Sequence, residues 1–456
     1  MSNTKLLGEE KVLKLLLKFS IPAIIGMLVN ALYNVVDRIF IGRGVDALGI
    51  AGATIGFPIM LIIMAFAMLI GIGANSLVSI RLGEKKKDEA ELIMGNAFIL
   101  LVLVSVVISI LGLTFLTTLL KAFGASEAVL PYAKEYLRII LIGSVFQSVG
   151  FGMNNFIRSE GSPKIAMMTM LIGAALNTIL DPLFIFVFNW GMAGAALATI
   201  ISQAVSAAWV LYHFIGGRST LRLRRKYFKL QMKTVLKIAA IGSAPFAMQM
   251  TASLQNVIMN KSLVTYGGDV AVSGMGIVMS IMMLMLMPIF GINQGVQPII
   301  GYNYGAKKYD RVKEALKLGI IAATIIVTVG FITIRLFPSE FIAMFNKKDA
   351  NLIEFGTHAL KVFTIFLPII GFQIVASNYF QAVGKPKQAG ILSLARQVLL
   401  LIPALLIFPR FYQIEGVLAA GPFADIMSSL ITGTWLFFEL RHLDNKHAET
   451  LETKES

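Results

Sequence analysis

The sequence predicts an all-α integral membrane protein: twelve transmembrane helices in two six-helix lobes, related as parallel repeats by a pseudo-two-fold axis. Three observations predict it: an apolar composition, twelve apolar blocks of membrane-spanning length, and two halves that repeat at a nearly fixed offset. Of 456 residues, 57% are hydrophobic and 14% charged, with a mean hydropathy of +0.78, too apolar for a water-soluble domain. A crossing helix needs about 20 apolar residues. Blocks of that length fall at 15–41, 50–80, 92–119, 132–156, 164–187, 193–215, 235–260, 271–300, 316–337, 353–379, 389–409 and 417–438.

The links between blocks predict the topology. Lys5, Lys11, Lys14 and Lys18 lead straight into the first block without the pattern of a cleavable leader, so the amino terminus is expected to stay with the protein. The links after blocks two, six and eight (81–91, 216–233 and 305–317) are rich in Lys and Arg, whereas those after blocks one, five and seven (41–49, 188–194 and 265–271) share one arginine. Basic links remain on the cytoplasmic side, which predicts that both termini are cytoplasmic. The net charge of +15 then faces anionic inner-leaflet lipid and requires no nucleic acid. The expected units are an N-terminal lobe (1–215), a basic linker (216–234), a C-terminal lobe (235–438) and a cytoplasmic tail (439–456).

Several chemistries are absent from the sequence. There is no cysteine, hence no disulfide framework and no thiolate metal site. His213, His358, His442 and His447 form no HxxxH pair, and no Gly-Lys-Ser/Thr phosphate loop occurs. No link is long enough to house a nucleotide-hydrolysing domain. No cofactor or nucleotide is therefore expected, and transport would be driven by an ion gradient or by the substrate's own gradient. A membrane enzyme would need paired Asp-rich or His motifs at a groove, and neither is present.

The repeat is visible residue by residue. Pro22 matches Pro245, Gly83 matches Gly305, and Asn155, Gly161, Pro163 and Lys164 match Asn378, Gly384, Pro386 and Lys387, always 222 or 223 positions apart. Six spans per copy return the chain to the same side, so the copies are parallel and enclose a cleft, as expected for an alternating-access transporter.

Ionisable residues inside spans cost roughly 2.5 to 3.5 kcal/mol each on insertion scales, so they point to function. Asn30, Asn34 and Asp37 share one face of the first span, with Tyr33 beside them, and Asn177 and Asp181 stand one turn apart in the fifth. Counting from Phe19 and Lys164, both aspartates lie roughly 25 Å up. Two carboxylates at one depth in an apolar bundle are natural proton carriers, and the nearby amides can bond the carboxyl group or lend neutral oxygens to sodium at Asp37 and Asp181. Structural alternatives exist: Asp181 precedes Pro182 and could cap a restarted helix, while Arg38 points about 100° away from Asp37 and is a poor local partner. Pro22 and Pro245 are expected to bend their helices.

In the second half the polar residues are mostly amides: Gln249, Ser253, Asn256, Asn260, Asn293, Gln294, Gln297, Gln373, Ser377 and Gln381, with Asp425 the remaining acid. Asp425 either serves function, faces wet headgroups or caps a helix. The adaptable thioethers Met279 and Met283 belong to a methionine-rich eighth span that also suits ordinary packing. The substrate cavity is expected among Asn154, Gln249, Asn256, Met279, Met283, Gln294, Gln373 and Asp425, although Asn154 also suits helix-to-helix hydrogen bonding.

The stretches "SIPAIIGMLVNALYNVVDRIFIG", "GIGANSLVSIRLGEKK", "FIRSEGSPKIAM", "LNTILDPLFIF" and "QAVGKPKQAG" resemble the multidrug and toxic compound extrusion (MATE) family, and most of all its DinF-like and MepA-like bacterial branches. The resemblance implies an antiporter of the bacterial or archaeal plasma membrane that exports amphipathic organic cations in exchange for protons or sodium. Its expected partners are those cations and membrane lipids, and the chain is expected to be a monomer. The resemblance also implies an N-lobe cation site at Asp37 and Asp181. The additional C-lobe acids of the NorM-like branch are missing here. The rival reading, a flippase for lipid-linked or amphiphilic substrates, would call for clustered inward bases. Arg38, Arg335, Lys361 and Arg396 are scattered.

Overall fold

The computed structural model describes residues 3–45, 47–123, 125–216, 219–344 and 350–455, and every regular element among them is helical. After a short helix at Asn3–Glu9, α1 covers Val12–Gly44, α2 Ala47–Gly83, α3 Lys87–Thr114, α4 Leu130–Ser159, α5 Pro163–Pro182 and α6 Gly191–Ile215. Next come α7 (Met232–Gly268) and α8 (Val270–Gly305). The chain folds between them at Gly268, whose φ of 63° and ψ of −163° are readily open only to glycine. Then follow α9 (Tyr309–Leu336) and α10, made of Ala350–Phe363 and Leu367–Ala382 with a 51° bend between them.

The 59-residue run Pro386–Asp444 cannot be one crossing. Straight, it would be about 88 Å long, nearly three times the hydrocarbon thickness. It folds at Gln413 (φ 51°, ψ −128°), and the Phe408 and Phe423 rings lie 5.1 Å apart instead of the about 22 Å of a straight helix. The two arms are α11 (386–412) and α12 (414–444). Among the described residues ten helices qualify as crossings singly, the bent pair adds an eleventh, and the fold at Gln413 adds the twelfth.

The first six and last six spans pack as two lobes. Buried clusters around Met94, Leu101, Met153 and Phe156, and around Ile63, Leu137 and Ile140, form the core of the first. A cluster around Ile289, Val296, Val375 and Tyr379 forms that of the second. The bases of the leading helices cross over: Leu15, Leu16 and Phe19 of α1 lie in the second lobe's core, and Ile238 of α7 in the first lobe's.

The lobes meet at the end that carries the amino terminus and the linker, here the basal end. Seam contacts follow the repeat: Gly73 of α2 lies against Gly242 of α7, and Gly295 of α8 against Ser20 of α1. The crossing of α2 and α8 is equally tight: a Cβ on Gly83 would overlap the Tyr302 carbonyl oxygen and one on Gly305 the Ile80 carbonyl oxygen. Only glycine permits backbones this close. Gln297 of α8 donates to Ser76 Oγ of α2 at 2.9 Å, and Asn75, Ser76 and Ser79 are buried. Toward the distal end Asn30, Thr54, Asn256 and Asn260 are exposed. Polar side chains are costly against lipid, so this exposure is as expected of the walls of a cleft that is closed at its base and open distally.

Candidate functional site

The site lies in the distal half of the first lobe. The spacing of Asn177 and Asp181 places them on one face of α5, and both are buried. Asn177 Nδ2 donates to Asp181 Oδ1 at 3.2 Å and, on the other side, to Thr199 Oγ1 of α6 at 3.5 Å. The Asp37 carboxyl of α1 comes within hydrogen-bonding reach of that of Asp181. Three helices therefore converge on two carboxyl groups. Helix α5 runs through Asp181 into a π-helical turn at Leu183–Val187, so Asp181 does not cap a restarted helix. π turns of this kind often accompany functional sites.

Asp37 and Tyr33 are half-buried, and Asn30 is exposed on the side of the cleft. The side chains of Asn34, Arg38 and Ser253 lie outside the described residues. Thr199 of α6, which nothing in the sequence singles out, joins the site; a lone threonine in an Ala-rich span carries no signal apart from its reach to Asn177.

The chemistry of this set is oxygen-rich. A hydrogen bond between two carboxyl groups requires a proton on one of them, and two bare carboxylates this close require a cation between them. Asn177 Oδ1 is buried and receives no hydrogen bond. These oxygens fit a proton or a hard monovalent cation. Among the described residues no cluster of three His, Asp, Glu or Cys side chains is present that would hold a multivalent metal.

The second lobe differs. At the offset of 223 that pairs Pro22 with Pro245 and Pro163 with Pro386, the positions matching Asp37 and Asp181 are Asn260 and Ala404, so the repeat carries no second pair of acids. Asp425 is buried and paired with Arg396 Nε at 2.6 Å, within the π-helical segment Ala395–Leu401. It faces neither headgroups nor a helix start. Removing one partner of a buried pair costs about 3 to 5 kcal/mol. Arg396→Ala is therefore expected to lower the thermal unfolding midpoint in detergent clearly, and adding Asp425→Asn to recover part of the loss.

The other expected cavity residues divide. Asn256 is exposed on the cleft side and Gln249 is half-buried. Gln294 Nε2 reaches Met27 Sδ of α1 at 3.3 Å, bridging the lobes just above the seam. Asn154 and Gln373 call for correction. Asn154 Nδ2 donates to the Ala166 carbonyl at 2.9 Å and bonds Thr169, so it ties α4 to α5 and is not open to a cleft. Met279 packs on the second lobe's core, and Gln373 is buried. Met283 is exposed. The backbone stays helical through Pro22 and Pro245, with no break at either.

Comparison with known proteins agrees with this fold. The MatE family model matches twice, at residues 22–183 and 244–406, so the two copies start 222 residues apart. The multidrug export protein MepA of Staphylococcus haemolyticus (strain JCSC1435) is 27% identical, over 95% of each chain. A solved MATE multidrug transporter, DinF-BH, is 43% identical with a TM-score of 0.88, covering 94% of this chain and 96% of the other. An outward-facing multidrug resistance MATE transporter of the MOP superfamily superposes with a TM-score of 0.91 at 26% identity, covering 98% and 99%. A doubled family match over most of the chain, on a twelve-helix two-lobe fold, places this protein in the MatE family of multidrug efflux transporters.

Proposed function

We propose that the protein is a secondary active antiporter that exports amphipathic organic cations across the plasma membrane in exchange for protons or sodium. The basal end faces the cytoplasm, a reading the basic links support, and the cleft opens outward. The observation that carries the reading is the meeting of Asp37 and Asp181 in one lobe, with Asp37 half-buried beside the cleft. A coupling ion entering from outside is taken up by the two carboxyl groups. Neutralising that pair removes the repulsion between α1 and α5 and changes their packing. The substrate leaves outward, the seam at Gly83 and Gly305 parts, and the ion is discharged to the cytoplasm. Substrate contacts come from Asn256, Gln249 and Gln294, with no cofactor, nucleotide or covalent step, and the protein works as a monomer.

The test is efflux of ethidium by the purified protein in liposomes, with proton and sodium gradients imposed separately. Transport is expected to follow one gradient. With inserted, folded protein, no response to either gradient contradicts the proposal and turns attention to a lipid-linked substrate.

A further inference from the structure

Each chain segment leading into a lobe is held by the opposite lobe. The helix Asn3–Glu9 precedes the first lobe but rests on the second, with Leu7 fully buried in its core. Its carboxyl-terminal carbonyls, which have no partner within a helix this short, are taken by α8 and α9. Asn303 Nδ2 donates to the Leu7 carbonyl at 2.9 Å and Lys308 Nζ to that of Gly8 at 2.7 Å. Arg311 Nη2 donates to Leu7 at 3.1 Å and Glu10 at 2.6 Å, while its Nε is oriented by Asn303 Oδ1 at 3.0 Å. Two cationic groups thus stand at the negative end of the helix.

The linker mirrors this on the first lobe. Asn96 Nδ2 donates to the Tyr227 carbonyl at 3.1 Å and Asn96 Oδ1 accepts from Gln231 N at 2.7 Å. Buried Glu91 accepts from Arg222 N at 3.1 Å, and buried Glu160 from Thr220 N at 3.0 Å. Asn96 and Asn303 are both fully buried, each clasping the backbone of the segment that leads into the other lobe.

We infer that residues 3–10 act as a cytoplasmic latch, which holds the seam shut in the outward-open state through Asn303 and Arg311 and must let go before the protein opens inward. The inference rests on the alternating-access reading. Distal α1 is tied to α5 through Asp37 and Asp181, whereas its base lies on the second lobe. When the lobes part basally, α1 cannot remain on both. The latch sets how readily it changes sides.

The chain has no cysteine, so a single introduced thiol reports on one place. Ser79→Cys, buried in the seam, would be labelled in inside-out vesicles with a membrane-impermeant maleimide, and Asn30→Cys, in the cleft, in right-side-out vesicles. Each would be combined with Arg311→Gln, with Asn303→Ala, or with Lys317→Gln, which removes a nearby exposed charge outside the latch. Loss of a charged hydrogen-bond donor is expected to raise the Ser79→Cys labelling rate roughly tenfold. The Asn30→Cys rate should fall with it, and Lys317→Gln should change neither. Unchanged rates at both reporters overturn the latch. So does a rise at both, since that signals local unfolding rather than a shift between states. If ethidium moves neither reporter in the parent protein, alternating access itself fails, and the latch with it.

Discussion

Asp37→Asn and Asp181→Asn are each expected to reduce gradient-driven export to the level of empty vesicles while leaving abundance and folding unchanged. Asparagine keeps the size of the side chain and one acceptor oxygen, so the packing among α1, α5 and α6 survives. It can neither release a proton nor carry the charge that draws a cation. With a single carboxyl group left, the ion loses one of the two carboxyl groups that hold it. Asp181 is fully enclosed and bonded by Asn177, whereas Asp37 is half-buried next to the cleft. Asp37 is therefore expected to admit the ion, and Asp181 to hold it. The check is ethidium efflux by protein matched for amount and for monodispersity in detergent; normal efflux by either variant contradicts the assignment.

Gly83→Val and Gly305→Val are expected to lock the basal end open and abolish export by a different route. A Cβ at either position overlaps a carbonyl oxygen of the other lobe, which no side-chain rotation relieves. Overpacking of this kind costs about 1 to 3 kcal/mol even where side chains can yield, and each 1.4 kcal/mol shifts a two-state equilibrium tenfold. In these variants Ser79→Cys is expected to label rapidly from the cytoplasmic side with no substrate present. A seam that stays protected would show that the lobes do not meet there.

The twelve spans, the repeat and the Asp37 and Asp181 pair were legible because each leaves a local signature: length of apolar run, fixed offset, or an acid where acids are costly. The fold at Gln413 falls in the gap that the sequence leaves between blocks 389–409 and 417–438, although a non-glycine residue with positive φ carries no turn signal of its own. The pairing of the C-lobe acid was not legible because its partner Arg396 lies on another helix. Asn154 and Met279 look alike in sequence whether they face a cleft or a neighbour, and only packing separates the two. The latch was invisible for the same reason: carbonyl acceptors at Leu7 and Gly8 depend on backbone position, not on residue type.

The central claim is that substrate and coupling ion exchange for one another through Asp37 and Asp181, and ion release on substrate binding measures it most directly. Ethidium would be added to the purified protein in weakly buffered solution while protons are followed with an indicator and sodium with an electrode. The expected result is release of one of the two ions in step with ethidium binding in the wild type, and none from Asp37→Asn. Ethidium binding that frees neither ion, or equal release from Asp37→Asn, would contradict the account.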